Sequence, residues 1–443
     1  MTGDSTLPAV DLRVRGGTVL TIDAEHSVVE ADVYVSGGRI VAIGGPERPA
    51  LAELDATGMV VMPGMHDLHD HLRDLTPGIQ VGEGLKLEAL LRELWRLNEI
   101  AGPDEYRLGA ALGAARLLKA GVTSVVDHIY PFHRPGLAAA AVDGYTSSGI
   151  RWFMARGIMT QGYDPICEPL DRAFDAIREL ADGLVPKDRL FVAPVSLRQV
   201  APEVYRASRE VADELGLRLY THIAETAAEV ESTMRSHGVR PVELLHQLGF
   251  AGADTVLVHC VTLSDLEISM LAESRTHVVH CPTNHMKLAK GVTPVPALLE
   301  AGVNVALGVD MMVDLLTEMR QEILLQGLHA SDPAAVSFQT ALEMATRNGA
   351  AALGFSAHEL GSVTVGTRAD LACVDLRSIG AQPVLDPAWS VVHRAQGSDV
   401  RHVLVDGEIV VRNGELLRVD EHEIVAEAND VVASYLKRAD RRS

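Results

Sequence analysis

The sequence predicts an α/β protein: a (β/α)8 barrel carrying a small β-sandwich built from both chain ends. Three observations point there. Short apolar runs alternate with longer amphipathic stretches through the middle of the chain. Both ends carry short strands joined by glycine turns. Six of the eight apolar runs finish in histidine or aspartate. The runs are 59–62, 122–126, 150–154, 190–193, 217–220, 255–258, 276–279 and 303–307. Helical spacing of apolar residues predicts helices at 84–97, 104–119, 169–181, 202–215, 226–236 and 264–273, with another at 338–353. Strand and helix in strict alternation build a parallel sheet, and eight such units close it into a barrel.

The chain ends differ from the middle. Residues 10–62 alternate short strands with Gly16-Gly17 and Gly37-Gly38, and residues 362–415 do the same with Asp406-Gly407 and Asn413-Gly414. Asp-Gly and Asn-Gly between alternating runs are hairpin signals. The expected division is therefore a sandwich from 1–62 and 362–420, a barrel from 63–361, and a C-terminal helix or tail from 421–443.

At 443 residues the chain is long enough for a large core with a smaller companion. Nearly half of it is apolar and few residues are aromatic, the composition of a well-packed α/β protein. With 39 basic against 60 acidic residues, the net charge of −21 repels polyanions. Neither nucleic acid nor a membrane is an expected partner; a small-molecule substrate is, with a homodimer or larger homo-oligomer left open. Cys167, Cys260, Cys281 and Cys373 are too far apart in sequence to suggest a disulfide framework or zinc knuckle. The N-terminus is not basic, and no segment approaches the roughly 18 apolar residues of a membrane span. A cytoplasmic location is expected.

Barrel enzymes carry their chemistry at the C-terminal ends of the strands. The first run leads into Met62-Pro63-Gly64-Met65-His66-Asp67-Leu68-His69-Asp70-His71. Histidines at i and i+2 on extended chain point to one face, so His69 and His71 can share a metal. The other polar strand ends are Asp127-His128, His222 with Glu225, His259-Cys260, His280-Cys281 and Asp310. A single strand-end histidine is usually structural. Six polar ends are expected only where the strands converge on a charged centre.

These segments resemble the amidohydrolase superfamily, in the branch of cytosine, guanine and S-adenosylhomocysteine deaminases and triazine hydrolases. The matching pieces are PGMHDLHDHL (63–72), THIAET (221–226), LVHC (257–260), the run from His280 to Asp310, and GSVTVGTRADLACVD (361–375). The resemblance implies His69, His71 and His222 as neutral imidazole ligands of one divalent metal, with Asp310 as carboxylate ligand and base. Such a set leaves a position for water, as a catalytic site requires. The resemblance further implies Glu225 as general acid and His259 as the group that orients or polarises the substrate. Two-metal relatives use a lysine late in strand four. That segment here is Phe191-Val192-Ala193-Pro194-Val195-Ser196, so one metal per chain is expected, Zn(II) with Fe(II) as the alternative.

The pocket departs from the pattern. Val195 replaces a histidine expected to touch a purine nucleoside, which argues against that substrate, and Met311-Met312 make the eighth loop apolar. His128 and Arg156 are candidate substrate contacts; Arg73 and Asp74 are weaker ones. The leading expectation is hydrolytic deamination of a small nitrogen heterocycle, because an amine leaving group needs the proton that Glu225 would supply. The alternatives are hydrolysis of an amide, urea or carbamate, or dechlorination of a halogenated ring. A non-catalytic scaffold is disfavoured, since every ligand position and the acid are present.

Overall fold

The computed structural model describes residues 8–73, 82–312 and 314–440. Two sheets organise it. The strands of the first are β1 (Val10–Leu20), β2 (Val28–Ser36), β3 (Arg39–Ile43), β4 (Ala50–Asp55) and β5 (Val60–Pro63) from the start of the chain. The second contains β6 (Met65–Asp70), β7 (Val122–Ile129), β8 (Arg151–Ile158), β9 (Leu190–Pro194), β10 (Arg218–Ile223), β11 (Thr255–His259), β12 (His277–His280) and β13 (Val305–Leu307). The chain then returns to the first sheet with β14 (Leu371–Val374), β15 (Val400–Val405), β16 (Glu408–Arg412) and β17 (Glu415–Leu416).

The first sheet is mixed and nine-stranded, in the order β17-β16-β15-β14-β5-β1-β2-β3 with β4 also on β1. Its ladder with β2 slips between Val14 and Gly17, and there β1 changes partner, from β4 to β5. Gly16-Gly17, expected as a turn, is thus a bulge inside one strand. The break lets the sheet enclose a core of Leu12, Val19, Val33, Leu371 and Leu404, drawn from both chain ends.

The second sheet is parallel, in the order β13 back to β6 without interruption. It closes where the last strand meets the first. Asp310 N–H donates to the His69 carbonyl (2.8 Å), Val309 N–H to Asp67 Oδ1 (3.0 Å) and Met311 N–H to Asp70 Oδ1 (2.9 Å). Leu68, Val126, Phe153, Phe191, Tyr220 and Val256 fill the interior, as the period of two along each strand requires. Among the described residues, no helix is long and apolar enough to cross a membrane.

A second expectation fails. The run 59–62 is not the first barrel strand; it is β5, paired with β1 and β14 in the mixed sheet. The first barrel strand is Met65–Asp70, fully buried although four of its six residues are polar. Apolar periodicity misses such a strand because its polar side chains serve the barrel's interior and mouth. Gly64 makes the switch between sheets: a Cβ there would lie 2.2 Å from the Thr123 side chain. The C-terminal helix Glu421–Asp440 docks on the helix Pro103–Lys119 through Ile424 and Ala428 against Leu108 and Ala111.

Candidate functional site

His69, His71, His222 and Asp310 converge at the C-terminal mouth of the barrel. His69 Nε2 lies 3.3 Å from His222 Nε2 and 3.4 Å from Asp310 Oδ1, and His71 Nε2 is 3.7 Å from the same oxygen. Each imidazole is anchored through its other nitrogen. His71 Nδ1–H donates to the His128 carbonyl (2.7 Å) and His222 Nδ1–H to the Val195 carbonyl (2.8 Å). His69 Nδ1 meets the Tyr220 hydroxyl (2.8 Å), which gives its own proton to the Leu68 carbonyl (2.7 Å) and so accepts from His69. The three Nδ1–H tautomers leave three Nε2 lone pairs facing a carboxylate. Burial, and then His69, push His222 down to about 3 and hold His71 well below its ordinary range. Burial acts to raise Asp310, but its surroundings, the Lys290 ammonium among them, outweigh it and hold the carboxyl well below the usual range. Convergent lone pairs and an ionised carboxylate repel one another unless a cation lies between them, so the donor set fits a divalent metal.

Local sequence explains the placement. Gly308 lets the end of β13 approach β6, since a Cβ there would lie 2.7 Å from His69 Cβ. Ala224, His259, Cys260, Asp310 and Met311 all have left-handed backbone, with φ between 48° and 79°. Such strain in non-glycine residues gathers at functional sites. Beyond β10, Thr226 caps the helix Ala227–His237 by accepting the Glu229 N–H (3.2 Å). The Glu229 carboxylate in turn accepts the N–H groups of Ala224 and Glu225, both at 3.1 Å. The Ala-Glu-Thr-Ala-Ala-Glu segment therefore fixes the backbone that carries Glu225.

Glu225 is buried beside this centre. Its Oε1 lies 2.6 Å from Lys290 Nζ and 3.3 Å from His259 Nε2, and its Oε2 pairs with Arg198. Burial would raise Glu225, but Lys290 and Arg198 outweigh it and hold the carboxyl at about 2. His259 is braced from behind, its Nδ1 lying 3.0 Å from His285 Nε2. Across the chamber, Leu87, Leu90, Leu91 and Leu94 present one face of the helix Leu87–Ile100, joined by Met311. Their spacing is that of an amphipathic helix with its apolar stripe inward.

Two sequence candidates do not line the chamber. Arg156 is buried but pairs with Glu168 (2.7 Å) and stacks on Phe132, lining a separate groove. The strand end that suggested it has two sides, and the guanidinium takes the other one. His128 adjoins the centre, its ring 4.5 Å from that of His222 and its ligand atoms within 4.8 Å of those of His69 and His222, but it is not among the described residues that line the chamber. Arg73 does line the chamber, over the Tyr130 ring; Asp74 falls outside the described residues. His280 of β12 is tied to Glu322 (2.5 Å), away from the chamber. Sequence reasoning missed Arg198 and Lys290, because a basic residue in a loop reads as solvated surface.

Residues 60–410 match the model of the amidohydrolase family. The chain belongs to the amidohydrolase family. Members bind a divalent metal, and this amidohydrolase is a hydrolase of carbon–nitrogen bonds. It is 36% identical over 439 residues to the 5-methylthioadenosine/S-adenosylhomocysteine deaminase of Halobacterium salinarum, covering 97% of this chain and 99% of that one. It is 34% identical over 377 residues to the 5'-deoxyadenosine deaminase of Methanopyrus kandleri, covering 84% and 85%. Among solved structures it resembles a zinc-bound adenosine deaminase from Xanthomonas campestris, with a TM-score of 0.90, 29% identity and 98% and 99% coverage. It also resembles the zinc complex of atrazine chlorohydrolase from Arthrobacter aurescens, with a TM-score of 0.86, 27% identity and 95% and 100% coverage.

Proposed function

We propose that this amidohydrolase deaminates an aminated nitrogen heterocycle by hydrolysis, with His69, His71, His222 and Asp310 holding one divalent metal, Zn(II) in the first instance. The observation that carries the reading is the set of three anchored imidazoles whose free lone pairs meet the Asp310 carboxylate, with Glu225 beside them. A metal in that set would supply the Lewis acidity that makes a water nucleophilic near neutral pH.

The chain's own residues handle the protons. Asp310, ionised and at the mouth, accepts a proton from the attacking water. His259 orients the amidine-like carbon. Glu225 rests ionised, so it must first receive a proton from the water before passing it to the departing nitrogen. The carbon–oxygen bond forms, the carbon–nitrogen bond breaks, and ammonia leaves with the proton from Glu225, while the water's other proton, held by Asp310, passes to the ring nitrogen as the carbonyl forms, so both carboxylates end ionised. The leucine face above the chamber excludes water from the reacting atoms.

Val195, standing where a histidine was expected, argues against purine nucleosides, while the names of the relatives weigh toward adenosine derivatives. Adenosine derivatives are therefore the first substrates to test. A second reading, favoured by the apolar roof and the likeness to a chlorohydrolase, is displacement of chloride or an amine from a substituted triazine. The test is an ammonia-release screen of the zinc-loaded enzyme across adenosine derivatives, aminopyrimidines and ureas, with chloride release followed for chlorotriazines. Ammonia from an aminated ring is the expected result. Chloride release with no ammonia from any amine would replace this reading with the second.

A further inference from the structure

Lys290 has no place in the reading above, yet its surroundings are unusual. Its side chain is only 2% exposed. It follows the short helix Pro282–Lys287, with its backbone N–H on the His285 carbonyl (3.0 Å) and Ala289 before it in left-handed backbone. Nearby, Thr293 Oγ1 donates to the His259 carbonyl (2.7 Å) and Gln326 Nε2 to the Thr293 carbonyl (3.0 Å). The ammonium is thus delivered to the chamber by a braced loop.

Burying an ammonium is unfavourable unless it is closely paired. Among the described residues its ion-pair partners are Glu225 Oε1 at 2.6 Å and Asp310 Oδ2 at 3.8 Å. These are the two carboxylates assigned to proton handling. The other oxygen of Glu225 belongs to Arg198, which also holds Glu229 at 2.9 Å. Arg198, which also lines the chamber, holds Oε2 on the side of Glu229, and Lys290 holds Oε1 beside His259.

We propose that Lys290 is a positioning residue for the deamination step: its ammonium bridges Glu225 and Asp310 and keeps Glu225 Oε1 turned toward the departing nitrogen. This rests on Glu225 as proton carrier. A cation at this point does more than neutralise charge, because it sets the distance between the two carboxylates that pass protons to and from one substrate. The cost of losing it falls on the geometry of the step and not on substrate affinity.

The test compares Lys290→Met, Lys290→Arg and Lys290→Ala in zinc-loaded enzyme, on an amine that the wild type deaminates. For Lys290→Met, kcat should fall about 10- to 100-fold, the scale of a misplaced catalytic group, with KM within about threefold and one metal per chain retained. Lys290→Arg should recover part of the loss, and added ethylamine should rescue Lys290→Ala saturably. Wild-type kcat in folded, metal-loaded Lys290→Met would overturn the inference. So would loss of the metal, or a rise in KM that accounts for the whole defect. If Lys290→Met does not fold, Lys290→Gln takes its place with the same criteria. A wild type that releases ammonia from no amine would overturn the reading of the site and this inference with it, whereas an active wild type matched by Lys290→Met overturns the inference alone.

Discussion

Two clusters of buried charge lie at opposite ends of the barrel, and only one has chemistry left over. At the N-terminal end of β8, Arg151 donates to Asp370 Oδ1 (2.9 Å), pairs with Asp406 (2.7 Å) and reaches Ser124 Oγ (3.3 Å). Asp406 is paired again by Arg368 (2.7 Å) and gives its own N–H to Asp370 (2.9 Å). Every charge there has its partner, and the cluster pins the barrel to the mixed sheet. At the C-terminal mouth, three imidazole lone pairs face a carboxylate, and an ionised Glu225 is stretched between two cations. Burial and charge are common to both clusters. Unmet valence is what separates a site from a staple.

That contrast can be broken at several points. The largest effect should come from His222→Ala, which removes one of the convergent lone pairs. Metal retention and turnover should both be abolished, as elemental analysis and the ammonia assay would show. A His222→Ala protein that still holds one tightly bound metal would move the centre elsewhere. Next comes Glu225→Gln, which keeps the shape but carries no proton. Turnover should drop by about two to four orders of magnitude with metal content unchanged. Wild-type turnover in that variant would take Glu225 out of the mechanism. Tyr220→Phe takes away the hydroxyl that holds His69 in its tautomer. Metal affinity should weaken by about 10- to 100-fold, the usual cost of losing a ligand's outer partner, as competition with a chelator would measure.

A graded effect should follow pH. His222 and His66 are held at about 3 chiefly by burial, against an ordinary histidine value of about 6.5. Between those values the unfolded chain binds protons that the native chain does not, so stability rises with pH there. The contribution is intact above about 6.5 and is lost as pH falls toward 3. Unfolding midpoints of chelated enzyme should be level from pH 8 to 7 and decline below about 6.5; a level curve down to pH 5 would contradict neutral buried histidines. The smallest effect on catalysis belongs to the other end of the barrel. Arg151→Met leaves Asp370 buried without its partner and should cost about 3–5 kcal/mol of unfolding free energy, yet leave kcat per folded molecule unchanged. A large fall in kcat would mean that the staple and the site communicate.

Much of this was legible in residue order. Seven of the apolar runs mark barrel strands because interior strands must be apolar whatever the protein does. His69, His71, His222, His259 and Asp310 stood out because imidazoles and carboxylates at successive strand ends have few structural reasons to be there. What failed did so for physical reasons. Met65–Asp70 reads as polar although it is wholly buried, since its Asp67 carboxylate accepts the backbone N–H groups of His69 and, across the closure of the barrel, Val309. Arg156 sits at a strand end but turns to Glu168, and position along a strand does not say which neighbour a long side chain will choose. Lys290 and Arg198 gave no signal because their burial depends on Glu225, which arrives from another strand.

The closure of the barrel has a consequence for synthesis. His69 and Asp310 lie on the first and last strands, and their backbones are joined by the bond from Asp310 N–H to the His69 carbonyl. A ribosome must make 310 of the 443 residues before the donor set is complete. Until then the imidazoles of His69, His71 and His222 lack the carboxylate that completes the set. Once the ring shuts, an ion bound there would clasp its two ends together, so cofactor loading would also report that assembly has finished.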